Sequence, residues 1–182
     1  MGFWRRLTGV GRGGSQETPA PQSARGPITS WPAGDFVSLE AVGYLFEPTG
    51  RATVEVVGES NYQGTLERIA GGRTIDGPRN PDHQATLIPE PSNPYDRNAV
   101  RVFVGPPFVK IGYLSREDAV RYRPVIDRLA ATGKLAASLA SLKGGWDRGP
   151  RDRAMFGVTL HLGAPQDLIM ELDKDLGPDP AA

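Results

Sequence analysis

The sequence predicts a mainly β fold of the α+β class: a small OB-like barrel of about six short strands with one or two helices, behind a flexible N-terminal tail. Three observations carry that expectation. Short apolar or alternating runs recur through the middle of the chain, each bounded by Gly or Pro. One stretch, between Ser115 and Gly133, follows helical spacing over several turns. Residues 11–34 are rich in Gly, Pro, Ser and Gln and poor in large apolar side chains, so they cannot offset their ordering entropy. The expected layout is a tail over 1–34, a barrel domain over 35–163 and an acidic C-terminal tail over 164–182.

In chain order, FVSLEAVGYLF (Phe36 to Phe46) regains apolar content and leads into the domain as an element of either type. Val54 to Val57 reads as a buried strand stopped by Gly58. Tyr62 to Ala70 reads as a short helix ended by Gly71-Gly72, and 71–83 as loop. Gln84 to Ile88 is a strand running into Pro89 and Pro91. In Ala99 to Val104, Val100, Val102 and Val104 share one face, and Arg101 and Phe103 the other. Gly105-Pro106-Pro107 turns the chain into Phe108 to Leu114, which predicts a hairpin.

Ser115 with Asp118 three residues on is close to a capping box. Ala119, Tyr122, Ile126, Leu129 and Ala130 continue the helical face to Gly133. Pro124 interrupts the pattern and predicts a kink or two short helices in series. Leu135 to Leu142 and Met155 to Leu162 read as the last strands. In the second, Phe156, Val158, Leu160 and Leu162 share a face. The intervening GGWDRGPRDR is a turn-rich basic loop, and Asp167 to Leu176 a short amphipathic helix. Such a set of elements suits a barrel of OB-like character.

Composition excludes several functions. The chain of 182 residues has 21 Lys and Arg, 21 Asp and Glu, two His and no Cys. Disulfides and Cys-based zinc sites are therefore excluded, a His-rich metal cage is not expected, and a reducing cytoplasm fits. Over 54–162 there are 15 basic against 12 acidic residues, and the last twenty residues lean acidic. A mildly basic core of this kind suits contact with a few phosphates rather than a long duplex track. No run approaches the length of a membrane span, and MGFWRRLTGV lacks the apolar core of a signal peptide. It reads as a disordered start, with a peripheral anchor or partner-docking peptide as the alternative. A monomer is expected.

The segment NPYDRNAV, Asn93 to Val100, is the most specific signal. With VVGESNYQG (Val56 to Gly64), IGYLSRED (Ile111 to Asp118) and MFGVTLHL (Met155 to Leu162), it makes four blocks that resemble the HIRAN domain in order and spacing. That family occurs on fork-remodelling translocases and as a stand-alone bacterial protein. The resemblance implies an OB-like barrel that captures the 3′ end of single-stranded DNA. It implies that Tyr95 and Asp96 grip the terminal nucleotide and its 3′-hydroxyl. It assigns base stacking to the stretch Ser60, Asn61 and Tyr62, of which only Tyr62 is aromatic. Tyr113 stands where the family has a histidine, Arg116 where it has a lysine, and Phe156 is kept where a late-strand phenylalanine stacks on a base. Asn93 opens the motif.

The residue types suit those roles. A carboxylate such as Asp96 accepts a hydrogen bond from a hydroxyl and repels a phosphate. Tyr95 offers a ring for stacking, and Pro94 stiffens the loop. Arg97, Arg101 and Arg116, then Arg121 or Arg123, are candidates for phosphates. The same Asn-Pro-Tyr-Asp is also turn chemistry, with Asp96 or Asn98 capping local backbone. Phe156 suits core packing as well as base stacking. Asn98 reads as structural.

No catalytic residue, metal or cofactor is expected. Glu90 and Asp96 are the only paired carboxylates near the motif, and no third acid or His is fixed by spacing. Gly11 to Gly14 lacks a P-loop context. His83 reads as exposed in a loop, and His161 as pointing off the last strand opposite Leu160 and Leu162. A binding module for single-stranded DNA 3′ ends in repair or fork processing, working with a separate helicase, ATPase or nuclease subunit, is the first expectation. The alternative is a protein or peptide adaptor using the same groove.

Overall fold

Valine-rich alternation builds the barrel. A computed structural model of the chain describes residues 27–31, 34–37, 42–46 and 52–177. The elements are β1 (Phe36–Val37), β2 (Val42–Leu45), β3 (Val54–Val57), a 3₁₀ turn (Glu59–Tyr62), α1 (Gln63–Ile69), β4 (Asp82–Pro89), β5 (Val100–Gly105), β6 (Phe108–Leu114), α2 (Arg116–Ala131), β7 (Lys134–Gly144), β8 (Phe156–His161) and α3 (Pro165–Leu176). Six strands close on themselves in the order β6-β3-β8-β7-β4-β5, and β5 returns to β6. All six pairings are antiparallel. Closure leaves no long free edge among these strands, which is how a small sheet escapes edge-to-edge association.

The predicted strands over 54–57, 84–88, 99–104, 108–114, 135–142 and 155–162 all appear. β4 starts earlier than the sequence suggests, so His83 lies on a strand, half-buried, with Nε2 2.9 Å from the Asn80 carbonyl oxygen. It is not the exposed loop residue expected. Cross-strand pairing to β7 carries Asp82 and His83 into the sheet despite the preceding Pro81. The Phe36 to Phe46 segment resolves into two short strands. β1 adds antiparallel to β6 and β2 adds parallel to β7.

Inside the barrel, Val54, Val56, Leu87, Val100, Val102, Val104, Ile111, Phe156, Val158 and Leu160 form one cluster. Each such side chain contributes about 1.5–3 kcal/mol on burial. Three α-helices accompany the barrel among the described residues, where the sequence predicts one or two. α2 begins as expected, with Ser115 Oγ accepting from the Asp118 backbone N–H. Pro124 neither ends nor divides it: α2 is a single helix over Arg116–Ala131. The N–H that proline lacks would have served Val120, which lies on the exposed face, where a carbonyl turns to water at small cost. α3 matches the expected amphipathic helix and buries Leu168 and Leu172 in the main cluster. Arg128 of α2 holds it by pairing with Asp173 at 2.7 Å.

A second, smaller cluster lies on the outer face. Phe103 and Ile88 are fully buried there, against Trp31 and Phe108. β5 is thus covered on both faces. Of the stretch read as a linker, residues 27–31 and Gly34 are described. Ile28 N–H donates to the Ala130 carbonyl at 2.8 Å and Gly34 carbonyl accepts from Arg101 Nη1 at 3.1 Å. The remainder of that tail, and the end of the chain after Gly177, lie outside the described residues.

Candidate functional site

The loop between β4 and β5, residues 90–99, is fixed mostly by its own polar groups. Its base is closed by Glu90 N–H donating to the Ala99 carbonyl at 2.8 Å. Asn93 Oδ1 accepts from the backbone N–H groups of Tyr95 at 3.0 Å and Asp96 at 3.2 Å, so the turn around Pro94 is an Asx turn. Asp96 Oδ1 accepts from Asn98 N–H at 2.8 Å. The turn chemistry expected of Asn93 and Asp96 is therefore present. It engages only one oxygen of Asp96, which is half-buried; its Oδ2 has no partner among the described residues. Tyr95, by contrast, is 86% exposed. A large ring held bare at the tip of a pinned loop offers a stacking surface.

β6 supplies the neighbouring face through a bulge. Val102 pairs with Gly112 but Phe103 pairs with Lys110, so Ile111 is the extra residue. A regular strand would put Lys110 and Tyr113 on opposite faces. The bulge puts both outside, opposite Phe103 and Arg101, while Ile111 points into the core. Gly112 permits it: a Cβ there would lie 2.6 Å from the Val57 carbonyl oxygen. Lys110 Nζ then sits 5.7 Å from the centre of the Tyr62 ring and 5.4 Å from that of Tyr113. These are cation–π separations.

Glu90 joins this face to the loop. Its Oε2 accepts from Asn93 Nδ2 at 2.7 Å and from the Tyr113 hydroxyl at 3.2 Å, while Oε1 lies 3.8 Å from Arg101 Nε. A continuous set of contacts thus runs Tyr62, Lys110, Tyr113, Glu90, Asn93 and on to Tyr95 and Asp96. Burial pushes the Tyr113 hydroxyl above the ordinary tyrosine range; Lys110 opposes this and Glu90 adds to it. The hydroxyl is therefore a donor at neutral pH. Burial alone would lower the Lys110 ammonium, but Asp35 and the Tyr62 hydroxyl outweigh it and hold it above the ordinary lysine range.

The other expected residues divide. Ser60 and Asn61 are exposed on the 3₁₀ turn beside Tyr62, and Arg97 and Arg116 are exposed on the loop and on the first turn of α2. Phe156 is only 2% exposed. The Arg73 guanidinium lies 4.3 Å from its ring centre, and Gly145 is so close that a Cβ would fall 2.0 Å from Cε1. Its ring packs in the core, the second of the two readings the sequence allows, and has no open face for a base. Arg101 is also not a phosphate contact, being buried at 3% exposure against Glu90 and Gly34. Arg121 and Arg123 pair with Asp118 and Asp127 on α2 itself. His161 points outward from β8 as expected, its Nε2 2.8 Å from Ser141 Oγ.

Sequence reasoning missed two members. Glu90 drew attention only as a possible metal-site acid, and among the described residues no group of three or more His, Asp or Glu is placed to hold a metal. Its position three residues before Asn93, at the end of a strand, was the available signal. Lys110 was missed because its spacing from Tyr113 breaks strand alternation, and only the bulge reconciles the two.

Compared with protein-family models, residues 50–137 match the HIRAN domain. Neither the curated proteins nor the solved structures gave a match. The matched span contains β3 to β6, the 90–99 loop and the start of β7; β8, which closes the barrel, lies beyond it. HIRAN domains are in general DNA-end-binding modules, and the domain by itself binds rather than catalyses. Four of the six barrel strands, the pinned NPYD loop and the cation–aromatic face lie inside the match, and residues 50–137 of this chain are a HIRAN domain.

Proposed function

We propose that the 90–99 loop and the outer face of β6 capture the free 3′-OH end of a single DNA strand, in DNA repair or replication-fork processing. The observation that carries this reading is the pairing of a bare Tyr95 ring with the half-buried Asp96 carboxylate on one pinned loop. Tyr95 stacks on the terminal base or sugar. Asp96 accepts the hydrogen bond of the terminal hydroxyl through the oxygen that the local turn leaves open. Tyr62 and Tyr113 offer further stacking, while Ser60, Asn61, Arg97 and Arg116 border the path of the strand. Asn93 shapes the loop. Ends of this kind arise where a separate helicase, ATPase or nuclease subunit works, and such a subunit is the partner expected.

The test compares otherwise identical labelled oligonucleotides ending in 3′-OH or 3′-phosphate. A 3′-phosphate beside the Asp96 carboxylate is expected to weaken binding about tenfold, equivalent to about 1.4 kcal/mol. Asp96→Ala abolishes the difference. Equal affinities for both ends in the unmodified protein would sink the role given to Asp96.

A further inference from the structure

Lys110 is, after the buried Arg101, an enclosed cation of the candidate face. Its side chain is 12% exposed, and its counter-ion, the Asp35 carboxylate 2.6 Å away, is 56% exposed. The anion is therefore on the solvent side of the cation. On its flanks are the rings of Tyr62 and Tyr113. The neighbouring acid, Glu90, is engaged with Asn93, Tyr113 and Arg101. Asp35 itself lies outside the matched family span, on the segment that crosses the barrel's outer face.

The backbone of that segment is fixed. Asp35 carbonyl accepts from Lys110 N–H at 2.9 Å, Gly34 carbonyl accepts from Arg101 Nη1, and β1 pairs Phe36 with Val109. Among the described residues, the Asp35 carboxylate is tied down only through its ion pair. A rotation of one exposed side chain uncovers the ammonium without moving the strand. A nucleic-acid strand whose bases lie against Tyr62 or Tyr113 carries its phosphates past the same spot.

We propose that Lys110 is the phosphate-receiving cation of this face and that Asp35 is its built-in competitor, holding the ammonium in the unliganded protein and giving way to a phosphodiester of the bound strand. This rests on the DNA-end reading above. An ion pair with one well-exposed partner is weak, so displacing it costs little. It keeps a desolvated lysine paired until the ligand arrives, and it sets a threshold against short or weakly held strands.

The experiment measures binding of a single-stranded 3′-OH oligonucleotide to the full chain at several salt concentrations, with melting temperatures recorded for every variant. Asp35→Asn is expected to raise affinity about threefold, because a weak competing pair is removed. Lys110→Gln is expected to lower affinity about tenfold and to reduce the salt slope by about one. Lys110→Arg keeps the slope. In the double variant the gain from Asp35→Asn disappears, since both changes act on one contact. If the unmodified protein binds and Asp35→Asn leaves affinity unchanged or lowers it, the competitor is overturned and the DNA-end reading stands. An unchanged salt slope in a folded Lys110→Gln protein overturns the phosphate assignment. If no variant binds the oligonucleotide, both readings fall together.

Discussion

Tyr95 and Glu90 show how one loop separates presentation from support. Tyr95 is bare, while Glu90 is the group on which the loop and β6 both hang. Removing each should therefore leave a different signature. Tyr95→Ala is expected to change stability by less than about 0.5 kcal/mol, as for surface sites without partners. It should weaken oligonucleotide binding by about 1–3 kcal/mol, the worth of one base stack. Glu90→Ala removes the Asn93 and Tyr113 acceptor and a carboxylate beside the buried Arg101, so it should lower stability by about 1–3 kcal/mol as well as weakening binding. Urea unfolding alongside the same titration separates the two, and a Tyr95→Ala protein that loses stability rather than affinity would make Tyr95 a packing residue. At this scale the exposed pair was legible, because Asn-Pro-Tyr-Asp carries its own turn chemistry within four residues. Glu90 and Lys110 were not. Their partners lie on other elements, and which partners they meet depends on strand register.

Elements were legible where their period was clean. β3, β5 and β8 alternate in sequence, and their bounds follow the pattern closely. β1 is too short, at two residues, to carry a period, and β2, VGYL, does not alternate. Of the two outcomes expected at Pro124, division into two helices does not occur, because a proline on a solvent-facing turn costs a helix less than a buried one. The bulge in β6 was invisible because a single extra residue reads as noise in a seven-residue strand, yet it decides the site. Its sequence trace is Gly112. A methyl there collides with the Val57 carbonyl oxygen, so β3 or β6 has to move. Gly112→Ala is expected to cost about 1–3 kcal/mol, the usual range for overpacking. By shifting Tyr113 against Val57, its cross-strand partner, it should also weaken DNA binding more than the stability loss explains. The cap on α2 gives the contrasting case. Ser115→Ala removes the acceptor for Asp118 N–H and should cost about 1 kcal/mol with little effect on affinity at saturating folded protein. Chemical denaturation and titration of both variants check the pair. Equal loss of affinity in the two would mean that the bulge has no special hold on the site.

At the scale of the whole molecule, the barrel is joined to its flanking segments through phenol and ammonium groups whose titration should govern stability in alkali. Tyr44 on β2 donates to Asp175 Oδ2 at 2.9 Å and Glu171 Oε1 at 3.2 Å on α3. Burial raises its hydroxyl first, and the two carboxylates raise it further, beyond the ordinary range. Tyr122 is also raised by burial, while its hydroxyl donates to the Gly163 carbonyl at 2.6 Å. Lys110 is raised in the net by Asp35 and Tyr62 against the opposing pull of burial. In each case the folded protein holds its proton more tightly than the unfolded chain does. The stabilisation is therefore complete below the unfolded values, about 10 for tyrosine and about 10.4 for lysine, and is lost as pH rises through the higher folded values. These groups contribute no slope at neutral pH. Melting temperature should decline once pH passes about 10, and the Tyr44 contact with α3 should contribute to the decline because the phenol ionises more readily in the opened form than against the two carboxylates. Tyr44→Phe lowers stability at pH 8 by losing those hydrogen bonds, but it should flatten the alkaline decline. Melting curves of both proteins across pH 8 to 11 test this, and parallel declines would show that the Tyr44 contact with α3 does not set the alkaline limit.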